Sequence, residues 1–283
     1  MSSARIATLT TLAMLAFAGN SLLCRAALKH SGIDPASFTT TRLVAGALIL
    51  WLLVRIKPST AKGEGNWLSA LALFAYAAGF SFAYERLPAA SGALLLFGAV
   101  QATMIGHGIW VGERFRKLQL VGLMLAFGGL VGLMLPGLSA PPLLGSALMI
   151  GSGMAWGVYS LRGRGQGDAT LVTSGNFLRA APIALALSVL MLSQVSVDIA
   201  GVLYALASGA LTSAVGYAIW YTALPALKAT SAATVQLSVP VIAALGGVLF
   251  LGELITLRLV LASIAILGGI ALVIVEKKPG ATG

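Results

Sequence analysis

The sequence predicts an all-α integral membrane protein: ten transmembrane helices arranged as two inverted five-helix repeats, with both termini cytoplasmic. Three observations carry that prediction. With 58% hydrophobic and 9% charged residues over 283 positions and a mean hydropathy of +0.96, the chain has more apolar surface than one water-soluble core can hide. Apolar runs of about 20 residues, the length that crosses a hydrocarbon layer of roughly 30 Å, recur with only short charged or Gly/Pro-marked gaps. Arg25, Arg42, Tyr84 and Pro88 recur 137 places downstream as Arg162, Arg179, Tyr221 and Pro225, which marks an internal duplication.

Taken in order, the runs cover about residues 6–28, 36–54, 67–86, 90–110, 118–135, 143–161, 170–192, 199–222, 230–250 and 258–275. The first, with Arg5 before it and Ala16-Phe17-Ala18 within it, resembles a secretory signal. It is read as a span because the run continues through Leu23 and its loss would break the pairing of Arg25 with Arg162. Its Asn20 places an amide in hydrocarbon, which must bond a neighbouring helix or a substrate. The second carries Arg42, a cation costing roughly 2.5 to 3.5 kcal/mol on insertion scales, less if it snorkels. The third has Tyr76, Phe80 and Tyr84 at four-residue spacing on one face, and the fourth has Phe97 and Gln101 at the same spacing. Such stripes suit core packing, lipid contact or the wall of a slot for an apolar ring.

The fifth span follows Gly112-Glu113 and contains Gly128-Gly129, both echoed 140 places on by Gly252-Glu253 and Gly268-Gly269. GLSAPP then joins the halves. In the sixth, Gly151, Gly153 and Gly157 surround Trp156, with Tyr159 nearby; such small residues leave room for a ligand or for a neighbouring helix. The seventh holds Arg179, twin of Arg42, and Pro182, which frees the carbonyl of Leu178. Tyr217 and Trp220-Tyr221 sit in the eighth, ahead of a Leu-Pro-Ala turn after which the second half carries three extra residues. Pro240 in the ninth takes the helical partner from the carbonyl of Gln236, so that span bends or opens there, as a static kink or as a hinge with Gly246-Gly247. The tenth, LVLASIAILGGIALVIV, is apolar on every face, which excludes the alternating strands of a β-barrel.

Orientation follows from the basic residues. A cytoplasmic N-terminus places Arg5, Arg55, Lys57, Lys62, Arg114, Arg116, Lys117, Arg162, Arg164, Lys228, Lys277 and Lys278 inside, with Arg25, Lys29, Arg86 and Arg258 opposite. Lys and Arg are retained on the cytoplasmic side. The net charge of +10 therefore reports topology, and its scatter over separate loops argues against nucleic-acid binding. Five spans per half is an odd number, so the second copy enters the bilayer from the other side. The expected division is a first repeat over 1–136, a second and inverted one over 141–276, and a cytoplasmic tail at 277–283. Inverted repeats are a recurrent plan for transporters, because two similar halves can exchange roles.

The segment YTALPALKATSAATVQLSVPVIAALGGVLFLGELIT, followed by ILGGIALV, resembles the C-terminal half of the drug/metabolite transporter superfamily, in its ten-helix EamA-type branch. The matching positions are Tyr221, Leu224, Thr230-Ser231-Ala232, Pro240, Gly252-Glu253 and Gly268-Gly269; Gly112-Glu113 and Gly128-Gly129 repeat the pattern in the first half. Val100 stands at the first-half counterpart of Pro240, a departure that confines the kink to the ninth span. The resemblance, which covers essentially the whole chain, implies a bacterial inner-membrane exporter of amino acids and other metabolites. The aromatic content of the spans is similar to that of the aromatic-amino-acid exporters.

On this reading Asn20, Gln101 and Gln236 supply hydrogen bonds to a small-molecule substrate, while Trp156, Tyr159, Tyr76, Phe80, Phe97 and Tyr217 furnish the apolar wall of a central cavity. Arg42, Arg179, Pro182 and Pro240 are placed as gating or hinge residues; for the two arginines, binding a substrate carboxylate is the competing role. No catalytic residue, cofactor or metal is expected: one cysteine, Cys24, and two histidines, His30 and His107, form no ligand cluster or catalytic motif. Every carboxylate falls at a loop or helix end, leaving Glu85 and His107 as residual proton carriers, so facilitated diffusion or exchange is expected in place of strong proton coupling. Lipophilic-drug efflux is the nearest alternative; a membrane-embedded enzyme and a non-transporting scaffold or receptor stand further off.

Overall fold

The computed structural model describes residues 2–56, 63–112, 117–135, 140–163, 167–227 and 235–275. Within them the chain is helical, with no strand. The helices are α1 (Ser3–His30), α2 (Pro35–Ile56), α3 (Trp67–Tyr84), α4 (Ala89–Trp110), α5 (Lys117–Met134), α6 (Leu143–Arg162) and α7 (Ala169–Leu190). A rod called α8 follows in three geometries: α-helical over Ile199–Ala207, π-helical over Ser208–Val215 and α-helical again over Gly216–Ala223. Last come α9 (Ser238–Leu251) and α10 (Leu257–Val275). Glu113, Thr230-Ser231-Ala232, the 277–283 tail and the basic residues Lys57, Lys62, Arg114, Arg116, Arg164, Lys228, Lys277 and Lys278 lie outside the described residues.

Eight of the described helical segments are long and apolar enough to cross a membrane; α9, with 14 residues, is a shorter apolar helix. Their outer surfaces fit lipid, since large apolar side chains such as Trp110, Leu190, Phe250 and Leu254 stand more than three-quarters exposed. Short capped turns separate the helices. Asn66 caps α3 by accepting from Ser69 N–H at 2.9 Å, and Asp168 caps α7 through Thr170 and Leu171. α9 ends at Gly252, whose φ of 62° is the left-handed conformation that glycine adopts freely. Glu253 N–H then returns to the carbonyl of Gly247 at 3.0 Å.

The packing has a two-fold logic. α2 meets α7 and α5 meets α10, each helix touching its own counterpart in the other half. α4 likewise meets its counterpart α9, and other contacts come in exchanged pairs: α3 on α6 and α7 is matched by α8 on α1 and α2, and α4 on α6 by α9 on α1. Counterparts run antiparallel. Thr40 near the start of α2 bonds Ala184 O and Ser188 Oγ near the end of α7, and Gln119 at the start of α5 bonds Val273 O at the end of α10. Arg258, at the other end of that pair, bonds Leu135 O. Hereafter the face bearing the start of α1 is the near face and the face bearing its end is the far face.

Glycine sets the closest crossing. A Cβ at Gly122 would lie 2.5 Å from the carbonyl oxygen of Gly269, and one at Gly269 would meet the Gly122 carbonyl in return, so α5 and α10 touch backbone to backbone. The same holds in α6: a Cβ at Gly153 would stand 2.5 Å from Leu96 O, and Gly157 faces Thr103. These two glycines serve helix packing, while Gly151 faces open space.

The two prolines within spans sit differently. α7 runs through Pro182 without interruption. In the ninth span the break falls at Leu237, and Pro240 occupies the first turn of the helix that begins at Ser238. Its missing N–H coincides with donors that have no intrahelical partner in any case, and the interruption adjoins the helical residues 235–236, beside the Gln236 carbonyl where the sequence placed it.

Candidate functional site

At mid-depth, where α1, α3, α4, α6 and α8 converge, a small hollow of about 20 Å³ opens between the halves. α1 contributes Phe17, Asn20 and Ser21, α3 Tyr76 and Phe80, α4 Leu96 and Phe97, α6 Trp156, and α8 Thr212 and Tyr217. Its volume matches about one water molecule, far below the several hundred cubic ångströms of an ordinary ligand site. The expected central cavity is therefore nearly filled by its own wall.

Asn20 organises the polar side. Its Nδ2 donates to Tyr76 Oη at 3.1 Å, and its Oδ1 accepts from Ser208 Oγ at 2.6 Å and Thr212 Oγ1 at 3.2 Å. The amide thus ties α1 and α3 of the first half to α8 of the second. Ser208 and Thr212 bracket the first turn of the π-helical stretch, and Thr212 Oγ1 also reaches Ser208 O at 2.8 Å. Single π turns inside α-helices are rare and concentrate at functional sites. Gly209 lets this wide turn rest directly on the Arg42 carbonyl of α2.

Rings form the rest of the wall and continue beyond it. From the far face, Tyr84 meets Phe80 at 4.7 Å between centroids, Phe80 meets Tyr76 at 5.4 Å, and Tyr76 meets Trp156 at 4.7 Å. Trp156 branches to Tyr159 at 5.3 Å and to Tyr217 at 5.1 Å, and Tyr217 leads through Phe17 to Trp220. Phe177 of α7 closes on Tyr217 at 6.0 Å. Edge and tilted contacts of this kind contribute beyond area burial, and together they make one continuous aromatic column through the molecule.

Polar contacts seal both ends. On the far face Arg25 Nε pairs with Glu253 Oε1 at 2.9 Å, with both side chains little exposed, while Glu253 Oε2 accepts from Ala89 N–H at 2.7 Å. Glu253 thus neutralises Arg25 and caps the start of α4. Arg25 Nη1 also donates to the carbonyls of Tyr84 and Glu85. On the near face Arg162 donates to Ser69 Oγ and Asn66 Oδ1, both at 3.2 Å, and Asn176 Nδ2 donates to Tyr159 Oη at 3.4 Å.

Of the residues singled out in the sequence, Asn20, Tyr76, Phe80, Phe97, Trp156 and Tyr217 line the hollow. Tyr159 stacks on Trp156 just outside it. Gln101 is buried in α4 one turn beyond Phe97, and Gln236 is half-buried ahead of α9; neither is among the lining residues. Phe17, Ser21, Leu96, Ser208 and Thr212 were missed. The two arginines part company: Arg179 donates to Glu64 O at 2.6 Å and Gly175 O at 3.0 Å, holding the entry to α3. Arg42 holds no helix end, and its guanidinium lies over the rings of Tyr76 and Phe80 at 5.2 and 5.0 Å. Glu85 and His107 are exposed, away from the hollow. No group of three or more His, Cys, Asp or Glu among the described residues is placed to hold a metal.

The sequence profile of the EamA-like transporter family matches residues 5–135 and again 143–275. An uncharacterized protein of Pseudomonas aeruginosa is 55% identical over 98% of this chain and 97% of its own length. An uncharacterized transporter of Archaeoglobus fulgidus is 26% identical over 84% of this chain and 86% of its own. A solved crystal structure superposes with a TM-score of 0.69 at 17% identity, covering 98% of this chain and all of the other, which is a likeness of fold.

Proposed function

This chain belongs to the EamA-like transporter family, membrane proteins of many spans, and from that footing we propose that it exports amino acids, chiefly aromatic or other apolar ones, and related small metabolites across a bacterial inner membrane. The observation that carries the reading is the hollow itself. An amide–hydroxyl cluster at Asn20 stands against a wall of Trp156, Tyr76, Tyr217 and Phe97, and a molecule with one polar and one apolar end suits both surfaces at once.

The same geometry supports alternating access. A hollow of about 20 Å³ admits an amino acid only when the halves part, and the two ends are fastened by different contacts, Arg25–Glu253 on the far face and Arg162–Asn66 on the near one. Releasing one set while keeping the other opens one side at a time. The distribution of basic residues along the sequence supports a cytoplasmic near face. With the described carboxylates at helix ends and loops, transport proceeds as facilitated diffusion or exchange.

Counterflow in proteoliposomes tests this directly. Tryptophan or threonine inside should drive uptake of labelled substrate, with tryptophan the more effective, and an imposed pH gradient alone should give no accumulation. Exchange of a cationic lipophilic dye in preference to either amino acid would replace this reading with drug efflux, which the apolar wall would also suit.

A further inference from the structure

Arg42, 1% exposed in the far half of α2, is the most deeply buried charged residue among those described. Its Nε and Nη1 make no hydrogen bond, and the described ion pairs involve only Arg25 and Arg86. A guanidinium carries five N–H donors, and an ion buried without a partner is costly in a low dielectric. The ring faces of Tyr76 and Phe80 attract the cation but accept none of its directed hydrogen bonds. The repeat sharpens the point, because its twin Arg179 satisfies itself with two carbonyls.

Position says what would complete it. Tyr76 and Phe80 are also wall residues of the hollow, so the guanidinium lies one ring-thickness behind that wall. The described carboxylates, Asp34, Glu64, Glu85, Asp168, Asp198 and Glu253, stand at helix ends or in loops. None of them lines the hollow, and Arg42 is the charged group that lies against its wall.

We propose that Arg42 is the anion-recognition point of the transport site, taking the carboxylate of a small organic acid or zwitterion in a two-pronged hydrogen-bonded pair when the Tyr76 and Phe80 rings swing aside. Resting on the transporter reading, this narrows the substrate class to carboxylates and sets the site against cations. An arginine fork matches a planar carboxylate in a way a point charge does not. A bound carboxylate also supplies the missing partner, so the cost of burying Arg42 is offset only in the loaded protein.

The test uses two ligands differing in one group, N-acetylphenylalanine and the neutral N-acetylphenylalaninamide, with affinity read from thermal-shift titrations of the purified full-length protein. Wild type should prefer the carboxylate by about tenfold or more, the scale of one desolvated ion pair. Arg42→Met should bring the two within about twofold while keeping the amide's affinity; Arg42→Lys should hold an intermediate preference. Equal affinities in wild type, binding of neither compound, or a preference that survives Arg42→Met would each overturn the proposal. If Arg42→Met fails to fold, the wild-type ratio and its reduction in Arg42→Lys decide. Inorganic phosphate at matched concentration asks whether any anion suffices; protection equal to that of the carboxylate would refute carboxylate recognition. Proteoliposome counterflow of the same pair separates the two claims. Transport without charge preference sinks the Arg42 proposal alone, whereas Arg42-dependent binding without transport sinks the transporter reading alone.

Discussion

Asn20 shows how one side chain couples the two halves. Replacing it with leucine removes the acceptor of Ser208 and Thr212 and the donor to Tyr76; Thr212 keeps its bond to Ser208 O, while the loss at the buried Ser208 and Tyr76 hydroxyls costs about 1–3 kcal/mol each. The expected result for Asn20→Leu is a lower melting temperature in detergent and lost counterflow, while Asn20→Gln retains part of both. A second residue-scale prediction concerns acid. Partial burial pushes the Asp34 carboxyl up, but hydrogen bonds from Ser37, Ser196 and Ala36 outweigh it and hold the group below the usual carboxylate range. Its contribution is complete above the unfolded value of about 3.9 and is lost as pH falls through the lower folded value. Asp34 joins the start of α2 to the α7–α8 turn, so hydrogen exchange at residues 34–38 and 195–198 should rise in that acid window. In Asp34→Asn the rise should already be present at neutral pH.

At the scale of elements, the glycine crossings make the packing testable. Gly269→Leu would drive a side chain into the α5 backbone at Gly122 and Ala126 and should abolish folded protein in size-exclusion chromatography. Gly268→Leu, where nothing lies within 4 Å, should be tolerated. The helices themselves were legible in the sequence because lipid leaves a single periodicity to find, and nine began and ended within a few residues of their apolar runs. The interruption at Leu237 was legible too, from Pro240 three residues on, which has no N–H to offer the Gln236 carbonyl. One element-level feature was not legible. The π-helical turn at Ser208–Val215 leaves no local signature, since it arises from how α8 meets α1 and α2. Ser208 and Thr212 were missed for that reason, and Phe17 because it belongs to no stripe.

For the whole molecule, duplication was the most informative signal, since polar residues kept in register across halves anticipate both the antiparallel pairing of counterparts and the convergence at mid-depth. What it did not foretell is how closed the site is: six of nine proposed contact residues reach the hollow, yet their rings nearly fill it. The offset also disguised a difference, because Arg42 and Arg179 are twins in sequence with unlike surroundings. The far-face lock is the element expected to govern the cycle. Glu253→Gln keeps an acceptor for Ala89 N–H but weakens the pairing with Arg25, and a buried pair that loses one charge is costly, so this variant should favour the far-open state.

Access to a single thiol in the hollow tests that cycle most directly. With the buried Cys24 replaced by alanine, Phe97→Cys would be probed from each side of sealed, oriented vesicles with a membrane-impermeant maleimide. Labelling from both faces, with the far-face rate raised several-fold and the near-face rate lowered by Glu253→Gln, is the predicted result. Labelling from one face only, or equal changes at both faces in the variant, would contradict two halves rocking about a shared site.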